Sequence, residues 1–564
     1  MHACIGVMMR TAVLFLSLIA ISCDGSTISD AGPPDSGRPD SGTDAGAPGS
    51  VVHVRLLGIT DFHGRMRPPS GSELGGVTYL ASHIDRLRAE EPNTVVVSSG
   101  DLIGGSALDS AVLRDEPTFD AMDLIGLDIT TVGNHEFDRP LEELRRLVDG
   151  GCHPVDGCAD DSMPYDGASF DVLGANVIDR VTGEPAFPTA VIREVGGVNI
   201  AFIGVTLEST GQIVYSPFVE GLRFEDEADT VNALIPSLRE QGATVFVVLV
   251  HEGMSSELLY EGCIGSEGAL LDVVDRLDPA VDVVFAGHRH GRVHCRPTGG
   301  PLIIQAGRWG NTIGVADLVI DPATGLVVEM DSVLQAVSRD VPTHPEMDTY
   351  LEWLEGIVGG LRNEEVGRIT ATVSDAIDVD GNMAAGDLVA DAFLRATASD
   401  AVVALTNLGG VRTSLLYEAA AGETEDGIVT YGELFDMVPF NNELLTMTLT
   451  GEQLDALLEA QFQTGGTTRF LALSAGFSYT WSRSAPIGAK VDPADVFIDG
   501  MPLDLSASYR VTLNTFIAEG GSGFEAALVG TERTPGRVDI DVVLEHLGAV
   551  SPYTPPPLDR VPSR

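Results

Sequence analysis

Apolar, β-branched runs alternate with segments of helical spacing between Val51 and Ile304. Such runs predict buried strands, and the segments between them, for example Gly76–Glu90 and Arg139–Val148, predict helices. Strands separated by helices are typical of layered α/β proteins. The predicted strands cover Val51–Ile59, Thr94–Val97, Ile129–Val132, Asn199–Val205, Thr244–Val250, Val281–Phe285 and Pro301–Ile304.

The pattern changes after Asp340. Residues Pro345–Arg362 place apolar side chains at helical spacing and predict a helix between two domains, and a second α/β segment follows. We therefore predict these parts along the chain: a signal segment (1–23), a tether (24–50), a first domain (51–340), a linker helix (341–363), a second domain (364–549) and a tail (550–564).

The N-terminus has the pattern of an export signal. An eleven-residue apolar run, Thr11–Ile21, follows Arg10 and is too short to span a membrane. It ends at Cys23 in a segment similar to a bacterial lipobox, with Ala20 where Leu is usual; an ordinary cleaved signal with an incidental Cys is the alternative. Residues 24–50 cannot bury a core and predict a flexible tether. We expect the protein in the periplasm or cell envelope, attached to a membrane through a lipid on Cys23 only.

The charge of the chain limits the kinds of partner that we expect. The chain has 83 acidic and 33 basic residues and a formal net charge of −50. A nucleic-acid binder needs basic patches, and no basic run exists, so nucleic acid is not expected as a structural partner.

Export permits disulfides; with Cys4 and Cys23 set aside, four cysteines remain. The expected pairs are Cys152–Cys158 and Cys263–Cys295.

Five predicted strands end in side chains that can bind metal ions. The carboxyl ends of strands in an open α/β sheet are where ligands bind. Carboxylate, amide and imidazole groups gathered there are too many for one tetrahedral ion but suffice for two ions that share a carboxylate, as in phosphoester hydrolysis. Each motif alone could be a turn or a core histidine, whereas five in this order, each after an apolar run, predict a metal site. The candidate ligands are Asp61, His63, Asp101, Asn134, His251, His288 and His290.

The order of these motifs resembles the calcineurin-like metallophosphoesterases, and the GNHEFD motif (133–138) resembles the 5′-nucleotidases, including the UDP-sugar hydrolases. The resemblance implies a four-layer β-sandwich flanked by helices, followed by a second α/β domain that binds substrate. It implies two divalent ions, for which Zn, Mn, Fe and Co are all suitable. Asp61, His63 and His290 would hold the first ion, Asn134, His251 and His288 the second, and Asp101 both.

His135 and Asp138 form a catalytic pair in this resemblance. His135 would face the substrate and stabilise charge in the transition state or assist the leaving oxygen, with Asp138 orienting its imidazole. The alternative is that Asp138 only caps a helix that begins near Pro140.

Three motifs of the second domain would bind the substrate. An Arg fork suits phosphate oxygens, glycines permit close backbone approach, and two aromatic rings can stack on a base. Gly turns and core Phe residues are the ordinary alternatives. The residues implied by the resemblance are Asn407, Gly409, Gly410, Arg412, Phe440, Phe516 and Ser522.

The chain departs from the related nucleotidases in two places in its second domain. Segment 378–382 carries Asp378 and Asp380 where relatives have arginines, so we expect a substrate phosphate to lose a partner and meet repulsion there. Ser522 replaces an Asp that binds ribose in relatives, and a hydroxyl lacks charge assistance.

These features together predict an exported phosphohydrolase that releases phosphate from nucleotides by attack of a metal-activated hydroxide. The alternatives within this class are a 2′,3′-cyclic nucleotide, a UDP-sugar or a non-nucleotide ester as substrate. A sulfur-compound hydrolase built on the same two domains is a further alternative. From another class, the chain could be a non-catalytic surface lipoprotein that binds a ligand. The sequence is silent on oligomeric state.

Overall fold

The computed structural model describes residues 51–68, 72–158, 165–256, 263, 265–419, 425–463 and 468–564. The predicted signal segment, the lipidation site Cys23 and the tether lie outside these ranges. Within the described ranges, no helix combines the length and the apolar character that a membrane crossing requires.

The strands of the N-terminal domain follow the predicted runs closely, and several short strands join them. The strands are β1 (Val52–Ile59), β2 (Thr94–Ser98), β3 (Ile129–Thr131), β4 (Asp171–Leu173), β5 (Val177–Asp179), β6 (Ala190–Val195), β7 (Val198–Thr206), β8 (Leu222–Phe224), β9 (Val245–His251), β10 (Ser255–Ser256), β11 (Ser266–Glu267), β12 (Val283–Ala286), β13 (Arg292–Cys295), β14 (Leu302–Ala306), β15 (Thr312–Asp321) and β16 (Leu326–Ala336). The helices are α1 (Val77–Glu90), α2 (Leu108–Ala111), α3 (Glu116–Ile125), α4 (Leu141–Asp149), α5 (Thr210–Ile213), α6 (Ser216–Val219), α7 (Glu227–Glu240) and α8 (Ala269–Arg276), with a 3₁₀ turn at His135–Phe137.

Two six-stranded mixed sheets form the centre of this domain. Their orders are β16-β15-β1-β2-β3-β4 and β13-β14-β12-β9-β7-β6. Strands β1 to β4 run parallel, as do β7, β9, β12 and β14 in the second sheet. Parallel neighbours end at the same edge of a sheet, so the segments after β1, β2 and β3 emerge together.

Apolar side chains from the two sheets pack face to face. Leu56 and Val97 of the first sheet and Phe202 and Leu249 of the second belong to one buried cluster. Separate clusters join the outer faces to helices, α1 and α3 on the first sheet and α7 and α8 on the second. This helix–sheet–sheet–helix arrangement confirms the predicted four-layer α/β architecture.

Helix α9 (Pro345–Arg362) occupies the segment predicted as a linker helix. Its buried residues Met347, Leu354 and Val358 belong to the core cluster of the first domain. His344 caps its N-terminus by accepting a hydrogen bond from the Met347 amide at 3.2 Å.

The C-terminal domain is a second α/β unit. Its strands are β17 (Glu365–Arg368), β18 (Val403–Asn407), β19 (Ile428–Thr430), β20 (Glu443–Thr450), β21 (Leu471–Leu473), β22 (Phe477–Trp481), β23 (Val491–Ile498), β24 (Met501–Pro502), β25 (Ser508–Asn514) and β26 (Thr531–Val538). Its helices are α10 (Ala384–Thr397), α11 (Tyr431–Met437), α12 (Gly451–Glu459), α13 (Thr515–Ala518) and α14 (Asp539–Val550), with 3₁₀ turns at Leu408–Gly410, Gly521–Gly523 and Glu525–Ala527. The main sheet has the order β21-β18-β25-β20-β26.

The segment predicted as a tail packs on the C-terminal domain. Arg560 donates to both carboxylate oxygens of Asp391 at 2.8 Å, and Val561 is 2% exposed. The structure also contains the disulfides Cys152–Cys158 and Cys263–Cys295, the two pairs expected from the sequence.

Candidate metal centre and substrate cavity

An unusual backbone conformation marks the turns that carry the candidate ligands. Asp61 and His63 follow β1, Asp101 follows β2, and His288 and His290 follow β12; their φ angles lie between 50° and 66°. Left-handed backbone costs free energy for residues other than glycine and is therefore uncommon. Where it does occur, it is often at a functional site. The turns after β1, β2 and β12 are therefore candidates for a functional site.

The first ligand group consists of Asp61, His63 and His290, whose ligand atoms all lie within 4.8 Å of one another. His63 Nε2 lies 3.2 Å from His290 Nε2, and His290 Nε2 lies 3.5 Å from Asp61 Oδ1. Asp61 and His63 are fully buried. Burial raises the pKa of Asp61 to about 7, and a cation beside the carboxylate would favour its charged form.

The second group consists of Asp101, His251 and His288, again within 4.8 Å. Asp101 Oδ2 lies 3.0 Å from His251 Nε2 and 3.9 Å from His63 Nε2, so this carboxylate stands between the two groups. Asn134 joins the second group because its Oδ1 lies 3.0 Å from His288 Nδ1. The seven predicted ligands are thus brought together in one place.

The hydrogen bonds of the histidines fit metal ions. His63 Nδ1 donates to the carbonyl of Gly104 at 2.7 Å, and His251 Nδ1 donates to that of Ser99 at 2.6 Å. This bonding fixes the ring orientation and leaves Nε2 as a ligand atom, as is typical of histidines that bind metals. His251 Nε2 is buried and has no hydrogen-bond partner within the described residues, although Asp101 lies beside it. A divalent cation between these atoms would satisfy both.

Glu136 is a buried acid of the site that the sequence analysis did not single out. Its carboxylate accepts hydrogen bonds from the amides of Asp101, Leu102 and Gly133 at 2.5–2.9 Å. It therefore ties the turn after β2 to the turn after β3. Gly133 is required at this junction, since a Cβ there would lie 2.2 Å from Asp101 Oδ1. The only sequence signal for Glu136 is its place inside the GNHEFD motif.

The structure brings the predicted pair His135 and Asp138 together. His135 Nδ1 lies 2.7 Å from Asp138 Oδ2. Burial lowers the pKa of His135, but the charges of Asp138 and Asp101 outweigh burial and raise it. Helix α4 begins after Pro140 without a side-chain cap, so the alternative role of Asp138 as its N-cap is wrong.

A cavity of 1720 Å³ lies above the ligand groups and is lined by both domains. Asn134, His135, Asp138 and His288 line its N-terminal wall, whereas Asp61, His63, Asp101 and His251 are buried and His290 is partly exposed. The opposite wall includes all the predicted substrate residues: Asn407, Gly409, Gly410, Arg412, Phe440, Phe516 and Ser522.

Arg412 of the C-terminal domain contacts the first ligand group. Its Nη2 lies 3.3 Å from His63 Nε2, and its guanidinium carbon lies 5.7 Å from the ring centroid of Phe440. Phe440 is stacked on His135, with ring centroids 5.7 Å apart. Asn407 accepts a hydrogen bond from Asn514 Nδ2 at 2.9 Å, which positions the turn before Arg412.

The prediction that segment 378–382 repels a substrate phosphate is wrong. Asp378 accepts hydrogen bonds from the amides of Asp380, Gly381 and Asn382 at 2.8–2.9 Å, so it closes a local turn. The Asp380 carboxylate pairs with Arg483 at 2.8 Å. Neither acid lines the cavity. Ser522 does line it, in a left-handed conformation with φ 57°.

Asp436 joins the two domains. Its carboxylate accepts hydrogen bonds from Arg65 Nη1 at 2.5 Å and from the Leu108 amide at 2.9 Å. Leu108, in helix α2 of the first domain, packs within the core cluster of the second. This contact was not predictable from the sequence, because its partners are more than 300 positions apart.

Comparison with known proteins agrees with this geometry. Residues 54–292 match the calcineurin-like phosphoesterase family, and residues 365–528 match the 5′-nucleotidase C-terminal domain. The chain is 32% identical over 514 residues to "Endonuclease YhcR" of Bacillus subtilis, covering 89% of this chain but 40% of that protein. It is 26% identical to a 5′-nucleotidase of Vibrio vulnificus, covering 89% and 91% of the two chains.

The fold agrees with a solved structure. The 5′-nucleotidase precursor of Thermus thermophilus superposes with a TM-score of 0.75 at 24% identity, over 91% of this chain and 99% of that one. The chain therefore belongs to the 5′-nucleotidase family, with a calcineurin-like phosphoesterase domain followed by a 5′-nucleotidase C-terminal domain.

Proposed function

We propose that the protein is an exported, metal-dependent phosphohydrolase that releases phosphate from nucleotides. The observation that carries this proposal is the 3.3 Å distance between Arg412 Nη2 and His63 Nε2. It places a guanidinium of the C-terminal domain at the candidate metal centre of the N-terminal domain. A phosphate bound there would meet metal ions on one side and an arginine fork on the other.

The two ligand groups would hold two divalent ions. Bound there, the ions would supply Lewis acidity and lower the pKa of water. The first ion would take Asp61, His63 and His290, the second Asn134, His251 and His288, with Asp101 shared.

His135 would act on the phosphate from the cavity side. Its Nδ1 proton is held by Asp138, which leaves Nε2 to carry or share the proton that the leaving oxygen needs. The Asp138 carboxylate also stabilises the imidazolium form of His135 during this transfer.

A nucleoside would occupy the outer cavity. Phe440 and Phe516 line it from the C-terminal domain and offer ring faces on which any base can stack. Ser522 lies on the same wall and offers a hydroxyl for the sugar. The net charge of −50 disfavours a long nucleic acid and so favours a small substrate, whose charge can be met locally by Arg412.

Export is supported by the signal-like N-terminus and by the disulfides Cys152–Cys158 and Cys263–Cys295, which persist outside the reducing cytosol. Attachment to a membrane through Cys23 is part of this proposal. Recovery of lipid-modified protein from envelope membranes, lost on Cys23→Ser, tests the attachment.

The activity is tested by phosphate release from AMP, ATP, UDP-glucose, a 2′,3′-cyclic nucleotide and an aryl phosphate, with Mn²⁺ or Zn²⁺ and with chelator. Metal-dependent release from AMP or ATP supports the proposal. Release from the aryl ester alone would support phosphoester hydrolysis but would exclude nucleotides as substrates. Absence of release from every ester would contradict the proposal and favour a sulfur-compound substrate or a binding protein.

A further inference from the structure

Two aromatic rings of the first domain line the substrate cavity, and neither belongs to the predicted substrate residues. Tyr215 and Phe218 contact each other edge to face, with ring centroids 4.8 Å apart. Both residues remain partly exposed. Among the described residues of the first domain, they are the only Phe, Tyr or Trp side chains in the cavity wall. The first domain therefore presents one aromatic surface to a ligand.

The segment that carries the two rings is anchored in the core of the first domain. Val214 and Val219 are 3% and 4% exposed and belong to the same buried cluster. The Phe218 amide donates to the Tyr215 carbonyl at 3.0 Å, which closes the turn between the rings. Because these contacts position the rings before a ligand arrives, binding against them costs less entropy than ordering a free loop.

The same segment lies beside the substrate residues of the C-terminal domain. Helix α5, which ends two residues before Tyr215, contacts the 3₁₀ turn that contains Ser522. Gly521 of that turn packs against the ring of Phe516, since a Cβ at Gly521 would lie 2.6 Å from Phe516 Cε2. Ser522 and Phe516 both line the cavity. The aromatic pair of the first domain and Phe516 of the second are thus next to the same contact between the domains.

We propose that Tyr215 and Phe218 form the part of the nucleobase site that the first domain supplies. The inference rests on the proposed function and deepens it: the base stacks on Phe516 and packs with its other side against the Tyr215–Phe218 pair. The exposed ring surface of the pair is then removed from water, which favours binding. Preference for nucleotides over phosphoesters without a base therefore depends on both domains.

Binding of adenosine, the product of AMP hydrolysis, tests this surface without depending on catalysis. In calorimetry on the metal-loaded protein, adenosine should bind about tenfold more weakly to Tyr215→Ala and to Phe218→Ala, because each variant removes an aromatic partner of the base. Tyr215→Phe keeps the ring and should bind adenosine more tightly than Tyr215→Ala. Tyr417→Ala is the matched control: Tyr417 is 38% exposed and lies outside the cavity, so its replacement should leave the Kd unchanged.

Kinetics separates recognition of the base from a general loss of structure. In both alanine variants, the ratio of kcat/KM for AMP to kcat/KM for ribose 5-phosphate should fall about tenfold. Absence of adenosine binding by the unaltered protein, unchanged binding in both alanine variants, or an equal loss of kcat/KM for the two esters overturns the inference. A protein that binds adenosine through these rings but releases no phosphate would contradict the proposed function and support this inference.

Discussion

Individual side chains at the candidate centre have roles that differ in how strictly they depend on position. Asp101 lies beside histidines of both ligand groups, Asp138 contacts His135, and Glu136 accepts hydrogen bonds from backbone amides. The residues that touch the reacting groups should therefore be more sensitive to substitution than those that hold them.

Replacing Asp101 with Asn should reduce phosphate release at least about 100-fold, because loss of even an outer partner of a metal ligand costs 10–100-fold. The bound metal should fall from two ions per chain in the same variant. Assay of phosphate release together with metal content checks this. Asp317→Asn, which removes a partly exposed partner of Arg55, is the control and should leave both values unchanged. Full activity in Asp101→Asn would show that this carboxylate is not a ligand of the metal centre.

Asp138→Asn should lower kcat about 10-fold or more and leave the metal content unchanged, because the amide cannot stabilise a positively charged His135. His135→Ala should lower kcat further. Steady-state kinetics with metal analysis separates this positioning role from ligation. Loss of metal in Asp138→Asn would contradict the assigned role.

At the scale of elements, helix α9 lies against α3 of the first domain. Tyr350 on α9 donates a hydrogen bond to Asp120 on α3 at 2.9 Å. Burial raises the pKa of Asp120 to about 6, above its value of about 4 in an unfolded chain. Folding therefore favours the neutral acid, and ionisation lowers stability as the pH rises through 6.

Asp120→Asn should raise the midpoint of thermal unfolding at pH 8, where the native carboxylate is charged, and should give no gain at pH 4. The amide oxygen still accepts the Tyr350 hydroxyl, so the contact is kept. Thermal unfolding of both proteins at the two pH values checks the sign. An equal shift at pH 4 and pH 8 would show that ionisation of Asp120 is not the cause.

Elements and ligands differ in how well the sequence predicted them. The central strands and α9 were predictable because their apolar spacing is local, and Asp61, His63 and Asp101 because each follows such a run. The contact of Asp436 with Arg65 was not, since it depends on how the domains pack. Asp378 was misjudged because a carboxylate in a turn and one facing a ligand have the same local sequence.

At the scale of the whole molecule, Asp436 joins the two domains. Asp436→Asn leaves the buried Arg65 without its ion pair and weakens the bond to the Leu108 amide. We expect a loss of about 1–3 kcal/mol in the free energy of unfolding and a higher KM for nucleotide. Chemical denaturation and kinetics check both. A variant with unchanged stability and KM would show that this contact does not hold the domains together.

The central claim is that the two domains together form a metal-dependent nucleotidase. The most direct measurement is the rate of phosphate release from AMP by the purified protein before chelation, after chelation and after divalent metal is restored. The account predicts release that stops with the chelator and returns with Zn²⁺, Mn²⁺, Fe²⁺ or Co²⁺. Release that persists in metal-free protein, or no release with any of these ions, would contradict it.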